Sequence, residues 1–428
     1  MGKRRRVAIV AGVRTPFAKR GTALSGVTAL DLGVRVTAEL IQRAGVSPSR
    51  IEQLVFGQVV QSPGVHNISR EIALAAGLPT SVEAYTVARA CASGYQAIVS
   101  VAESILAGSI DCAVAGGTDS SSNVPFALDP RVSAVLQRAG RARSISERLG
   151  ALAELRAKDL LPTPPPLIER STGLSMGESA EAMAQQNGIS RLDQDRYAHR
   201  SHAHAAAAWS DGRLEREVMP LYLPPSFPVV MRDGTVRADS HLAAYARLNP
   251  AFDASHGTVT AGNSSPLSDG AAAILLMSEE AAHEAGLSIV ATLRSHAFVG
   301  LDPQEQLLLG PAYAVPIALS RAAVEFSDLD LVDMHEAFAA QVLSCTRAIE
   351  STAFAKAKLG RSRAVGEINW DRFNALGGSI AMGHPFAATG IRQVIQTVNE
   401  LARRGGELAL CTTCAAGGLG AALVLEAP

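Results

Sequence analysis

Over the first 120 residues, short apolar runs alternate with stretches of helical length. Val7–Val13, Gln53–Val60 and Asp111–Gly116 are mostly apolar and bounded by turn residues, which predicts buried strands. Leu30–Ala44 and Tyr95–Ala107 repeat apolar residues at helical spacing and predict amphipathic helices. This alternation implies a largely parallel α/β layer structure. From about residue 121 to 250 the pattern breaks at Pro125, Pro130, Pro164–Pro166, Pro220, Pro224, Pro225 and Pro228, and arginines gather at 138, 141, 143 and 148. Helical spacing returns inside this stretch at Met176–Asn187 and Leu192–Asp211, so it reads as an excursion with its own helices, of the kind that carries binding surfaces.

After about residue 258 the α/β texture resumes and repeats the first part. Leu40–Val46 resembles Ala318–Val324 at an offset of 278 residues. The helix after Gly94, with its Gly108 exit, resembles the helix after Gly390, with its Gly405 exit, at offsets of 296 and 297. Two halves of one topology would set matching loops face to face at a shared cleft.

Composition narrows the function. Of 428 residues, 47% are hydrophobic and 18% charged, enough for a large core and incompatible with global disorder. A net charge of −1 gives no electrostatic case for nucleic acid. No apolar run reaches the roughly 18 residues of a membrane helix. The basic start, Met1–Arg6, and the apolar run behind it mimic a short signal peptide, but Arg14 ends that run, and a buried first strand is the reading adopted. Five cysteines make no disulfide framework, so a reducing compartment, the cytoplasm, is expected.

Three segments concentrate reactive residue types. In Arg89-Ala90-Cys91-Ala92-Ser93-Gly94-Tyr95, Cys91 follows a strand-like stretch and opens a helix, where free N–H groups and the dipole are expected to lower the thiol pKa; a buried structural cysteine is the alternative. In Gly377-Gly378-Ser379-Ile380-Ala381-Met382-Gly383-His384-Pro385, His384 sits on a loop of fixed backbone before a helix near Ala388, as suits a general base; a solvated turn histidine is the alternative. The third, Cys411-Thr412-Thr413-Cys414-Ala415-Ala416-Gly417-Gly418, reads as strand, turn and strand. Its CxxC spacing has no second half for a zinc site, and its glycines precede no helix that could receive a phosphate. It suits a tight turn aiming Cys414 and nearby N–H groups at a cleft.

Together the three segments resemble the thiolase superfamily, in order and spacing and over nearly the whole chain. Arg14-Thr15-Pro16-Phe17, Gly262-Asn263-Ser264-Ser265-Pro266 through Ala272, and His335-Glu336-Ala337-Phe338-Ala339 extend the match. The resemblance implies an α/β thiolase fold: two similar α/β halves in a layered αβαβα arrangement with a large loop-domain excursion. The N-terminal half would be 1–120, completed by 258–278, the loop domain 121–257 and the C-terminal half 279–428.

The resemblance also implies the chemistry, thiolytic cleavage of 3-ketoacyl-CoA in fatty-acid β-oxidation. Cys91 would be the nucleophile, His384 its base and an oxyanion donor, and Cys414 the acid/base for the leaving enolate and incoming CoA. The N–H groups of Cys91 and Ala416 would form a second oxyanion hole, provided the backbone angle at Ala416, where thiolases usually carry Gly, suits alanine. Met176, Ala261 and Ser265 match pantetheine contacts, and Phe338 an aromatic at the acyl mouth. No metal and no permanently bound cofactor are implied; CoA and acyl-CoA are substrates. His335 stands where most thiolases have an Asn that positions a catalytic water, and Ala88 replaces an Asn before the nucleophile segment. His335 resembles the β-subunit of the fatty-acid oxidation trifunctional complex. That implies a homodimer partnered by a hydratase/3-hydroxyacyl-CoA dehydrogenase α-subunit, with Arg138–Arg148 facing CoA phosphates, a partner or anionic lipid, or being a solvated face.

The alternatives are a stand-alone acetoacetyl-CoA thiolase and a non-catalytic thiolase-like lipid-binding or scaffold protein. A ketoacyl synthase would need two catalytic histidines with one cysteine. His199, His202 and His204 are spaced as on an ordinary exposed helix, and Cys112, Cys345 and Cys411 fall in core patterns.

Overall fold

A computed structural model describes residues 5–162 and 168–428. The Pro164–Pro166 run and Met1–Arg4 of the basic start lie outside the described residues. The main unit comprises the described part of Met1–Val60, with Asn67–Asn123 and Ile168–Pro428, and a small unit comprises Gln61–His66 with the described part of Val124–Leu167.

In the main unit the strands β1 (Val7–Arg14), β2 (Gln53–Gly57), β3 (Glu83–Val87), β4 (Cys112–Ser120), β5 (Ser268–Ser278), β6 (Ala291–Gly300), β7 (Leu331–Met334), β8 (Leu408–Ala415) and β9 (Leu419–Glu426) run β7-β8-β9-β6-β1-β5-β4-β2-β3. The duplication is explicit in this order. β2 pairs parallel with β4, β4 antiparallel with β5, and β5 antiparallel with β1. In the second half β7 pairs parallel with β8, β8 antiparallel with β9, and β9 antiparallel with β6. The halves join where β1 meets β6, Ala8 opposite Thr292 and Ile9 opposite Ala291. β4, β5 and β8 are buried along their whole length because helices cover both faces, whereas the edge strand β3 is partly exposed and β6 carries Arg294 and His296.

Helix α1 (Ala29–Ala44) covers the outer face of the first half. Thr28 caps it by accepting the Asp31 N–H, Leu32, Val36 and Leu40 make its buried stripe, and Gly45 ends it in the left-handed conformation. The core layer holds α2 (Ser93–Leu106), the excursion contributes α3 (Met176–Gln186) and α4 (Arg191–Ser210), and the second half contributes α5 (Gly310–Ala322), α6 (Ala339–Glu350) and α7 (Ala387–Arg404). α5 covers the outer face of β6 and β9, whereas α2 and α7 lie between the two halves of the sheet, with α7 packed on β4 and β5 and also on β8. The result is the αβαβα layering.

Two glycines set the spacing of the central layer. A Cβ on Gly94 would lie 2.4 Å from the Ala387 carbonyl oxygen, and one on Gly390 would lie 2.7 Å from the Tyr95 ring. The N-terminal turns of α2 and α7 therefore cross in backbone contact.

The predicted strand Gln53–Val60 ends at Gly57, because Asp119 Oδ1 takes the N–H groups of Val59 and Val60 and turns the chain out of the sheet. Helix α4 is not an ordinary exposed helix: His202 is buried, with Nδ1 accepting the Arg237 N–H, while His199 pairs with Ser240 and His204 with the Asn374 carbonyl. The stretch following α4 is fixed by Arg14, fully buried with Glu217 at 2.7 Å and Asp233 at 2.7 Å. Burial opposes the Arg14 charge, but the two carboxylates outweigh it and raise its pKa. Within the small unit, the helices Pro130–Arg141 and Ile145–Leu152 pack on each other, Arg138 pairs with Glu154 at 2.6 Å, and Arg148 donates to the Ala139 carbonyl. Among the described residues, no helix is long and apolar enough to cross a membrane.

The crossing makes a stability prediction. Gly94→Ala should cost about 2 kcal/mol or more through overpacking, measured as a fall in denaturant midpoint. Gly26→Ala, with nothing within 4 Å of its Cβ, should be neutral.

Candidate active site

Cys91 sits immediately before α2, on a turn of constrained shape. Ala90 has φ +45°, an unfavourable region for a residue with a Cβ. Ser93 stabilises the turn by accepting the Arg89 N–H at 2.7 Å and donating to the Ala90 carbonyl at 2.7 Å. The second half repeats the device before α7, where Phe386 has φ +29°, and Gly383, just before His384, has φ +103°.

The two turns bring Cys91 Sγ to 3.3 Å from His384 Nε2. His384 Nδ1 lies 2.7 Å from Thr389 Oγ1 in the first turn of α7, and the His384 N–H donates to Ser268 Oγ, fixing both ring and backbone. The N–H groups of Ala416 and of Cys91 itself act to lower the Cys91 thiol pKa. Ala416 keeps a negative φ, the left-handed positions of its turn falling to Gly417 and Gly418, so the alanine substitution leaves the N–H in place.

Protonation corrects one expectation. The Cys91 thiol is not lowered: burial pushes it up to about 12, against the pull of the two N–H groups. Burial and then Arg392 push His384 down to about 3. Both shifts favour the neutral thiol and neutral imidazole over the ion pair, because burial penalises the separated charges more than the helix N-terminus rewards a thiolate.

Cys414 lies near the end of β8, fully buried, its thiol raised first by burial and then by the neighbouring Cys91 and Cys345. Cys411, three residues earlier on the same strand, points the other way and donates to Thr397. Cys345 and Cys112 are also buried. His335 is buried with its ring centroid 4.2 Å from that of His384 and its Nδ1 3.0 Å from Ser379 Oγ. One ring nitrogen of each histidine and the Cys91 sulfur lie within 4.8 Å of one another. Glu336, next in sequence, is buried and accepts from Tyr197 and Ser201 of α4 and from Asn374, tying the excursion to this loop.

A cavity of about 240 Å³ adjoins this cluster. It is lined by Ala261, Ser264, Pro266, Ile380, Arg237 and Lys19 among others, and the Pro266 carbonyl accepts the His384 N–H. Ala261 is on its wall. Ser265 lies between two lining residues, its N–H donating to the Ala337 carbonyl. Phe338 bridges Ser264 and stacks edge-on to Phe252, while Met176 begins α3 behind its Ser175 cap; neither lines the cavity. Thr389, Ser379 and Arg392 were not legible as site residues. Thr389 carried one signal, a hydroxyl five residues past His384 on the helix His384 precedes. Arg392, a charge set between Ile391 and Val394 in an apolar stripe, carried another.

A cysteine, a paired histidine, converging N–H groups and a second buried cysteine on a duplicated, five-layered α/β framework define an acyl-transfer centre built for a covalent thioester. Residues 7–280 match the family described as thiolase, N-terminal domain, and 287–427 that described as thiolase, C-terminal domain. The chain belongs to the thiolase family of acyltransferases. It is 55% identical over 421 residues to a 3-ketoacyl-CoA thiolase of Serratia proteamaculans, covering 98% of this chain and 97% of that protein, and equally to one of Yersinia pestis. Its structure is similar to the Bacillus anthracis acetyl-CoA acetyltransferase (TM-score 0.87, 33% identity, 100% of both chains). It is also similar to the human mitochondrial 3-ketoacyl-CoA thiolase in complex with CoA (TM-score 0.85, 29% identity, 99% and 98%).

The neutral pair is testable. No Cys91-dependent thiolate absorbance near 240 nm should develop between about pH 5.5 and 9, taking the difference between wild type and Cys91→Ala. Since burial pushes the thiol up to about 12 and the imidazole down to about 3, neither should ionise in that window; a step with a midpoint below 8 would show an ion pair instead.

Proposed function

We propose that the chain is a 3-ketoacyl-CoA thiolase of fatty-acid breakdown, cleaving 3-ketoacyl-CoA with CoA to acetyl-CoA and a shortened acyl-CoA. The observation that carries this reading is His384 Nε2 at 3.3 Å from the Cys91 sulfur.

In the first half-reaction His384 Nε2 takes the Cys91 proton as the sulfur bonds to the keto carbon. The resulting imidazolium, its Nδ1–H held by Thr389, faces the new oxyanion. Collapse of that oxyanion breaks the carbon–carbon bond, leaves the acyl group on Cys91 and releases the enolate of acetyl-CoA, which takes the Cys414 proton at carbon. In the second half-reaction the Cys414 thiolate removes the proton of the CoA thiol, and CoA sulfur attacks the acyl-Cys91 carbonyl. The N–H groups of Cys91 and Ala416 hold this second oxyanion, and the expelled Cys91 sulfur recovers its proton from His384. A neutral starting pair suits this cycle, since the charges arise only as the reaction proceeds.

Met176, Ala261 and Ser265 contact the pantetheine arm and Phe338 the acyl mouth. CoA and its thioesters enter as substrates, with no cofactor held permanently. The halves 1–120 with 258–278 and 279–428 carry the chemistry, and 121–257 acts as the loop domain. His335 in place of asparagine, with the arginine-rich segment 138–148, supports a hydratase/3-hydroxyacyl-CoA dehydrogenase α-subunit as partner, while the homodimer and the cytoplasm follow from the family resemblance.

The test is CoA-dependent cleavage of 3-ketoacyl-CoAs from about four to about sixteen carbons. Wild type should cleave long chains, and Cys91→Ala should lose at least about 10³-fold in kcat. Cleavage confined to the four-carbon substrate would favour an acetoacetyl-CoA thiolase, and none at any length a scaffold. Affinity purification from the native source should bring down the α-subunit; recovery of this chain alone would reject the complex.

A further inference from the structure

Asp119, near the end of β4, is a buried carboxyl that none of the reaction steps uses. Asp233 has Arg14 opposite it, whereas the partners of Asp119 among the described residues are three backbone N–H groups. Its Oδ1 accepts the Val59 N–H at 2.9 Å and the Val60 N–H at 2.7 Å, both from the loop after β2. Its Oδ2 accepts the Ala387 N–H at 2.9 Å, from the first residue of α7 in the other half of the chain. Phe386, the residue before α7, supplies no side-chain cap. Asp119 therefore caps that helix from across the layer.

The capped turn carries the base. Phe386 is strained at φ +29°, its ring centroid lies 5.2 Å from that of His384, and His384 Nδ1 reaches Thr389 in the first turn of α7. Gly117, on the same face of β4, lies against the Ala387 carbonyl, so Ala387 meets β4 at both its polar groups. Backbone strain of this kind persists only where neighbours over-determine the conformation. A carboxylate suits the position because it accepts from all three N–H groups at once. A neutral carboxyl does not: with Val59 and Val60 on one oxygen, its proton falls on Oδ2, and a hydroxyl then confronts the Ala387 N–H.

We propose that Asp119 is a positioning residue for the base: its carboxylate clamps the start of α7 to β4 and to the 59–60 loop, and so holds His384 against Cys91 during acyl transfer. It acts through Ala387 and not on the reacting atoms. The inference rests on the thiolase reading of Cys91 and His384. It carries a pH dependence of fixed sign. Burial raises the carboxyl to about 7 against the pull of the three N–H groups, so the clamp is complete above that pH and opens as pH falls through it. The groups that face Asp119 do not share this window. The 58–60 loop contributes none that ionises, the Cys91 thiol is pushed up to about 12 and the His384 imidazole down to about 3. Asp269 of β5 pairs in register with Ser120, on the opposite face of the sheet, and is bonded to Ser120 and Ser122.

The experiment follows acetyl-CoA release by the full chain in a single turnover, at saturating long-chain 3-ketoacyl-CoA. No free CoA is added, so ionisation of the CoA thiol does not enter. The wild-type rate should rise about ten-fold or more between about pH 5.5 and about pH 8.5, with its midpoint near the Asp119 value of about 7. Asp119→Asn sets an amide N–H against the Ala387 N–H and so imitates the protonated acid. Its rate should be flat across that window and about ten-fold to about 10²-fold below wild type at the upper end, with half-saturation within about two-fold. A flat wild-type rate, or a variant that keeps the wild-type profile, overturns this inference and leaves the thiolase reading standing. The Asp119 charge also adds to the rise of the Cys91 thiol. Faster alkylation of Cys91 in Asp119→Asn with undiminished acyl transfer would make Asp119 a charge alone, which overturns the positioning role. Hydrogen exchange of residues 384–390 needs neither substrate nor variant. Their protection, corrected for the intrinsic rate, should fall as wild type is taken from about pH 8.5 to about pH 5.5; protection independent of pH overturns the proposal. If Asp119→Asn fails to fold, the two wild-type measurements decide. A wild type that releases no acetyl-CoA at any pH refutes the thiolase reading, and exchange then decides whether Asp119 clamps α7.

Discussion

Backbone contact between the two central helices is the constraint on which the site depends. Cys91 and His384 are 293 residues apart, and each stands just before a helix of the middle layer. They can meet only because those helices touch at Gly94 and Gly390, with Gly117 of β4 also lying against the Ala387 carbonyl. A methyl group at any of these would push the layer apart by more than the 3.3 Å contact tolerates. The strained turns at Ala90 and Phe386 are supported from the same place: Ser93 ties one, and Asp119 Oδ2 accepts the Ala387 N–H that follows the other. Strain kept at both turns is maintained by packing that leaves them no alternative.

The same dense packing sets the electrostatics. Helix N-termini commonly favour anions, and Cys91 occupies such a position, yet desolvation overrides the dipole and leaves a protonated thiol. His384 responds oppositely for the same reason, since burial penalises its charged form. Around the pair stand Thr389 behind His384, two N–H groups that pull against the burial of the Cys91 thiol and, among the described residues, an unpartnered nitrogen of His335. Asp119 follows the same rule, raised to about 7 by burial despite accepting three backbone N–H groups.

Much of this was legible in the sequence, and the boundary has a physical cause. Three strands and two helices of the first half follow from local periodicity, but strand direction does not: the alternation implied a largely parallel sheet, whereas β4 pairs antiparallel with β5, β5 with β1 and β1 with β6, and the positions of Cys91, His384 and Cys414 follow from small-residue turns that punctuate a chain visibly. The loss of the strand after Gly57 was not legible, because the carboxylate that turns Val59 and Val60 away is Asp119, some 60 residues on. The Arg14–Glu217–Asp233 cluster and the Arg392–Ser379–His335 chain were hidden for the same reason: each is a buried polar group whose partner comes from another element. His202 was misplaced because the sequence around it is polar on several sides, and only the packed excursion shows which side faces inward. Cys91's protonation failed as a local argument because burial is not a local property.

The duplication has one more consequence. At the 296-residue offset that relates Gly94 to Gly390 and Ala90 to Phe386, the counterpart of Cys91 is Ala387 and the counterpart of His384 is Ala88. The scaffold thus has two geometrically equivalent corners for a nucleophile and two for a base, and the chain arms one of each, on opposite halves. Neither half contains a complete reaction centre. The two-fold repeat of the backbone thus carries a single, chemically one-sided site, with Cys91 from one half facing His384 from the other.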